Sequence, residues 1–318
     1  MNALVVEGLR KRYRDREAVR GISFEVEPGK IFALLGPNGA GKTTTLEILE
    51  GFRTRDSGRV EVLGHDPGSR ADRRRLRERI GLVLQDIAVE PYLTVRETVA
   101  RTAGYYPAPR GVDEVIDLVG LAGQERAKVR NLSGGQKRRL DLALGVIGDP
   151  DLLFLDEPTT GFDPTARRAA WQVVSDLRDL GTTIVLTTHY MDEAQALADD
   201  IAVLAAGEIV ARGTPETIGG RDTALARIRF ARPADVAALP LAPTTVDDTT
   251  VTFETDDPTP VLHRLTGWAL ASGTTLRALA VEQPSLEDVY LSLTGDTAGQ
   301  PQPEATGSRR RRTNRRTG

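Results

Sequence analysis

The alternation of apolar and polar positions divides the chain into a sheet-rich first part, a helical stretch inside it, and a smaller sheet-and-helix part at the end. Ile22, Phe24 and Val26 share one face of a strand with Ser23 and Glu25 on the other, the two-residue period of a half-buried strand. Further strands are expected at 3–7, 31–35, 59–63, 80–84, 152–157 and 182–187. From the capping box Thr94-Val95-Arg96-Glu97 to about Gly148 the period becomes helical, with 112–119 as a second amphipathic piece. The turn Thr159-Thr160-Gly161-Phe162-Asp163-Pro164 opens a helix that reaches Leu180, and 201–204 with 208–211 form a hairpin about Ala206-Gly207. The expectation is an α/β fold: a first domain over residues 1–220 with a helical subdomain at about 86–148.

Beyond Gly220 the pattern changes. Strands at 226–230, 250–254 and 276–281, a helix at 260–272 and a closing segment at 284–293, with Ser285 and Asp288 at capping-box spacing, predict a small α+β domain over 221–295. It contains no catalytic constellation. From 296 onward Pro, Gln, Gly and Ala give way to arginines at 309–312 and 315–316. Such a segment cannot build a core, so 296–318 is expected as a disordered tail. Its arginines either stay solvated or add weak attraction to an anionic leaflet.

Composition narrows the function classes. The 318 residues suit about two domains, each able to bury its own core. Absence of cysteine excludes disulfides and thiolate metal sites, and His65, His189 and His263 are too scattered for zinc. No basic region precedes an apolar N-terminal segment, and no apolar run approaches the roughly 18 to 20 residues needed to cross a bilayer. A cytosolic location is expected, and any membrane role needs a partner. With 42 basic and 45 acidic residues the chain has no bias toward nucleic acid. The arginine-rich stretch 70–79 is read as a solvated helix face rather than a binding patch.

The chemistry is concentrated in a few short stretches. Gly36-Pro37-Asn38-Gly39-Ala40-Gly41-Lys42-Thr43 joins the apolar run 31–35 to a helix that begins with Thr44 and Thr45. Three glycines let several N–H groups converge on one anion, aligned with the positive end of the helix. Lys42 would add a point charge on the β- and γ-phosphates of a nucleotide, and the Thr43 hydroxyl one ligand on Mg²⁺.

Five other places belong to the same chemistry. Tyr13, set among Arg10, Lys11, Arg12 and Arg14, either stacks on a purine or is an ordinary strand-end tyrosine. Gln85 ends a buried strand at the sheet edge where ligands bind, within reach of Mg²⁺ or water. Asp156 and Glu157 end another, and strand alternation would point them apart: Asp156 toward Mg²⁺, Glu157 toward the attacking water. His189 ends a further strand and is assigned to the γ-phosphate. Leu132-Ser133-Gly134-Gly135-Gln136 precedes a helix that Ser133 can cap, a second anion-binding N-terminus.

In this order the motifs resemble the ATP-binding cassette, the ATPase subunit of ABC transporters, over about residues 1–220. The resemblance implies ATP and Mg²⁺ as cofactors. It makes Tyr13 the adenine-stacking aromatic, Gly36 to Thr43 with Thr44 the P-loop, and Gln85 the Q-loop. It further makes Ser133, Gly134, Gly135 and Gln136 the family signature, Asp156 and Glu157 the Walker B pair, Asp163 the D-loop aspartate and His189 the switch histidine. In that family the signature of one subunit closes over ATP held by the P-loop of another, which implies a dimer with composite sites and a separate membrane permease. The ending Ser285-Leu286-Glu287-Asp288-Val289-Tyr290-Leu291, with Leu155 to Pro164, is similar to the daunorubicin-resistance type of exporter ATPase. That type implies efflux of a drug, antibiotic, lipid or glycan from the cytoplasmic face of the membrane. A soluble ATPase working on ribosomes or DNA, or an importer subunit, is the alternative. One P-loop and no sustained heptads weigh against the former.

Overall fold

The computed structural model describes residues 2–14, 16–83, 89–220, 225–233, 236–282, 285–288 and 290. The Gln85 assignment, the segment from 291 and the 296–318 tail lie outside them.

Three sheets carry the fold. A three-stranded antiparallel sheet is ordered β2 (Arg16–Val26), β1 (Leu4–Tyr13), β4 (Ser57–Val62). A six-stranded sheet is ordered β5 (Ile80–Val83), β6 (Leu152–Asp156), β7 (Thr183–Thr188), β3 (Ile31–Leu35), β8 (Asp200–Ala205), β9 (Glu208–Gly213). Its strands pair in parallel except β9, which pairs antiparallel with β8. Every residue of β3, β6 and β7 is buried, as expected of parallel strands covered on both faces.

The two-residue period assigns these strands to two cores. Phe32 and Leu34 join Leu4, Val6, Phe24 and the helix α1 (Lys42–Leu49) beneath the antiparallel sheet, where the rings of Phe24 and Phe32 stack at 4.8 Å. Ile31, Ala33 and Leu35 face the opposite core, which contains residues of α3 (Val95–Ala103), α4 (Val112–Leu118), α5 (Gly134–Val146), α6 (Pro164–Asp179) and α7 (Met191–Leu197). The short α2 (Arg73–Arg77) precedes β5. The α3 capping box forms as expected, Glu97 N–H donating to Thr94 Oγ1 and Thr94 N–H to Glu97 Oε2. Among the described residues no helix is long and apolar enough to cross a membrane.

The third sheet lies beyond residue 220, ordered β11 (Thr245–Val246), β12 (Thr250–Thr255), β10 (Ala226–Ala231), β13 (Ala280–Glu282), with α8 (Pro258–Ser272) against it. Ile228, Phe230, Val251, Phe253 and Leu265 form its own core. Leu286, 1% exposed, returns to the core of the six-stranded sheet, and Tyr290 packs beside it.

Several boundaries differ from expectation, β2 for one starting at Arg16 rather than Ile22. β1 runs on through the cationic stretch to Tyr13, because Asp56 accepts from Lys11 Nζ and the Arg12 N–H and holds it in the ladder. α8 starts at Pro258 rather than 260, since Asp257 caps it through the Thr259 N–H. The last strand starts only at Ala280, after a left-handed turn at Ala278 (φ 53°).

Candidate functional site

The loop 36–41 passes from β3 into α1 along a path that only glycine permits. A Cβ at Gly36 would stand 2.2 Å from the Leu204 carbonyl, and one at Gly41 (φ 109°) 2.4 Å from that of Ala18. Leu204 and Ala18 thus press the loop into a tight curl at the helix N-terminus, a fit for a phosphate chain. Lys42 is 4% exposed and donates through Nζ to the carbonyls of Gly36 (2.7 Å) and Pro37 (3.2 Å). Burial pulls its ammonium below the ordinary lysine range, against the opposing pull of Glu157 and Asp156.

Beside this loop lies a cavity of about 470 Å³. Tyr13, Asn38, Gly39, Gly41, Lys42, Thr43, Thr44 and Glu157 line it, all of them expected from the sequence. So do Arg16 and Ala18, which were not. Arg16 Nη2 donates to the Gly39 carbonyl at 2.6 Å, so a cation stands at the mouth of the cavity. Its only sequence signal was position, opposite Tyr13 across the hairpin turn. Arg53 and Lys11 lie 5.2 and 5.7 Å from the Tyr13 ring centroid.

The two acids at the end of β6 are separated by a turn, not by strand alternation. β6 stops at Asp156, and Glu157 adopts φ 46°, its N–H donating to the Thr187 carbonyl at 3.1 Å. Asp156 is 5% exposed and accepts from Thr187 Oγ1. Burial pushes its carboxyl above the ordinary range, and Lys42 and Arg138 pull the other way. Glu157 Oε1 lies 3.5 Å from Lys42 Nζ and 3.4 Å from His189 Nδ1, the latter without hydrogen-bond alignment. Its Oε2 accepts from Thr160 Oγ1 at 3.2 Å.

The donor set fits a hard divalent cation: an exposed hydroxyl at Thr43 beside the loop, and a buried carboxylate whose desolvation such a charge would relieve.

Ser133 caps α5 as expected, in a full capping box with Gln136 (2.9 and 3.2 Å). The start of α5 nevertheless lies apart from the phosphate loop. Gly134 and Gly135 line a second cavity, of about 460 Å³, together with Arg138, Asp141, Thr160 and Asp163. Glu157 is the side chain that lines both. Asp163 caps α6, its Oδ1 accepting from the Thr165 and Ala166 N–H groups at 2.9 Å each.

The sequence did not signal two clamps on the turn after β6. Arg138 donates to the carbonyls of Asp156, Glu157 and Pro158. Glu193, fully buried, accepts at Oε1 from Thr159 Oγ1 (2.8 Å) and Trp171 Nε1 (3.1 Å).

A third cavity, of about 810 Å³, opens away from the loop between α1, α2 and the helical region. Phe52 and Tyr105 are 59% and 77% exposed on its walls, and arginines from the 70–79 stretch line it. Arg70, Arg74, Arg75, Arg77 and Arg79 are nevertheless exposed while Leu76 turns inward, the solvated face expected of this stretch. Glu50 lies within this cavity with Oε1 lacking a hydrogen-bond partner among the described residues, and burial pushes its carboxyl up to about 8.

Comparison with known proteins agrees with this geometry. The ABC transporter family matches residues 19–160, and the C-terminal domain of ABC transporter domain-containing protein-like chains matches 226–285. Daunorubicin resistance ATP-binding protein DrrA3 of Streptomyces coeruleorubidus is 40% identical over 92% of this chain and 96% of its own. The Nod factor export ATP-binding protein I of Burkholderia pseudomallei is 41% identical over 90% and 94%. Among solved structures, cbiO1 from Clostridium perfringens, part of the ABC transporter complex cbiONQ, aligns with TM-score 0.61 at 30% identity, covering 68% of this chain and 89% of that one. A dimeric post-hydrolysis ATP-binding cassette bound to ADP and Pi aligns with TM-score 0.60 at 23% identity, covering 66% and 98%.

Proposed function

The chain belongs to the ATP-binding subunits of ABC transporters, and on that premise we propose that it hydrolyses ATP to drive export through a separate membrane permease. The observation that carries the chemistry is the position of Glu157, beside both Lys42 and His189 at the wall of the phosphate-loop cavity.

In this reading Tyr13 stacks on adenine, and the N–H groups of 36–44 with Lys42 hold the phosphates. Glu157 orients and deprotonates the attacking water, while His189 contacts the γ-phosphate. Mg²⁺, held by Thr43, Asp156 and Gln85, would supply further charge neutralisation when bound. Most of the rate then comes from positioning and electrostatics in an in-line transfer. Signature residues Gly134 and Gly135 border a different cavity, which supports a composite site: Ser133 to Gln136 and Asp163 would act on ATP held by a second copy of the chain. Nucleotide would then close a head-to-tail dimer and hydrolysis reopen it.

Export is the direction favoured by the drug-resistance and Nod-factor relatives over nearly the whole chain. The aromatic-walled groove above Glu50 suits a permease segment at the cytoplasmic face of a membrane. We assign residues 1–220 to the cassette and 221–295 to an accessory domain, with 296–318 as a tail. The test is Glu157→Gln: ATP binding is retained, hydrolysis is lost, and size-exclusion chromatography with ATP shows a dimer. Normal hydrolysis by this variant would overturn the role of Glu157, and a monomer under saturating ATP would overturn the composite site.

A further inference from the structure

Asp156, Glu157 and Pro158 present three successive carbonyls at the point where β6 ends, that of Glu157 also accepting from the Thr160 N–H at 3.3 Å. The Arg138 guanidinium answers all three. Nε donates to the Pro158 carbonyl at 2.9 Å, and Nη2 to those of Asp156 and Glu157 at 3.0 and 3.3 Å. The rigid fork of donors is suited to this, and a lysine ammonium is not. The Arg138 side chain is 12% exposed, and Asp141, one turn on, faces its Nη1 at 3.8 Å.

Glu157 holds a left-handed backbone without being glycine, a conformation that persists only where the surroundings determine it. Arg138 grips this peptide from one side and Thr187 from the other. Arg138 also sits five residues after the capping residue Ser133, roughly 7.5 Å along the same rigid helix. A shift of the α5 N-terminus therefore moves the guanidinium, and with it the turn that aims the Glu157 carboxylate.

We propose that Arg138 is a positioning residue that ties the signature helix to Glu157, so that engagement of the signature by nucleotide on a partner copy sets the carboxylate of its own chain for hydrolysis. This rests on the composite-dimer reading. Each site would then learn of the other's occupancy through one side chain. The opposite flank of the turn is fixed independently, Thr159 by Glu193, so the fold does not depend on Arg138 alone.

The experiment compares Arg138→Met and Arg138→Lys with the parent, and repeats both in a Glu157→Gln background. The Met variant is expected to lose about 10- to 100-fold in kcat, the size of a misplaced catalytic group, at unchanged ATP Kd. The Lys variant, still charged and the safer one to fold, falls between. In the Glu157→Gln background both still dimerise with ATP. Parental kcat in the Met variant, or a kcat loss matched by lost dimerisation or lost thermal stability, would overturn the proposal. Failure of Glu157→Gln with Arg138 intact to dimerise with ATP would instead sink the composite reading and the relay with it.

Discussion

The cassette and the C-terminal sheet are both small mixed structures around apolar cores, yet they treat polar groups oppositely. Every buried polar or charged side chain among the described residues lies between Lys42 and Glu193. Beyond residue 220 the buried positions are apolar: Ile228, Phe230, Val251, Phe253 and Leu265 form the core, while Arg227, Arg229, Glu254 and Glu282 pair across the outer face. Burying a charge is unfavourable unless it is paired or shifts its protonation. A fold that keeps Lys42, Asp156 and Glu193 inside has accepted that penalty where nucleotide chemistry needs preorganised charge. Among the described residues the C-terminal sheet buries no polar or charged side chain.

The contrast is broken most severely by removing a buried cation. Lys42→Met is expected to lower ATP affinity about 100-fold, roughly 3 kcal/mol for two charge-assisted bonds to phosphate, and to reduce hydrolysis to background. Amide exchange over 226–282 stays as in the parent. Parental affinity by calorimetric titration would remove Lys42 from the site. The converse substitution is Phe253→Ala, which deletes a ring 4% exposed and 6.0 Å from that of Phe230. It should destabilise the C-terminal unit by about 3 kcal/mol, raising exchange over 226–255 with ATP affinity unchanged. Weakened nucleotide binding in this variant would mean that the two regions are energetically one.

What the sequence revealed and what it hid divide along chain distance. The glycine loop, the capped signature helix and the apolar strand ending in Asp156 are local: curl, cap and burial follow from adjacent residues, so neighbouring letters suffice. Arg16 on the Gly39 carbonyl, Arg138 on the β6 turn and Glu193 on Thr159 join positions 18 to 34 residues apart, and no periodicity encodes them. Strand alternation is expected to point Asp156 and Glu157 apart, but β6 ends at Asp156 and Glu157 stands on a turn instead. Separation is produced by a left-handed turn that Thr187 and Arg138 enforce from elsewhere in the chain.

The mildest test of the contrast is a buried acid that is not in the phosphate-loop cavity. Glu50 is 9% exposed, and burial, with help from Asp156 and Glu47, raises its carboxyl to about 8 from an ordinary 4.5. Between those values the folded chain keeps a proton that the unfolded chain has released. Its contribution therefore stabilises fully at low pH and is lost as pH rises through this window. Glu50→Gln removes that dependence while keeping the shape. Chemical denaturation without nucleotide should show the variant gaining on the parent by about 1.4 kcal/mol per pH unit at most between pH 6 and 7. Parallel pH slopes for the two proteins would mean that Glu50 is ionised in the folded state. In the C-terminal unit, where Glu254 and Glu282 pair with arginines at the surface, the same titration should leave local exchange flat, since exposed pairs contribute little.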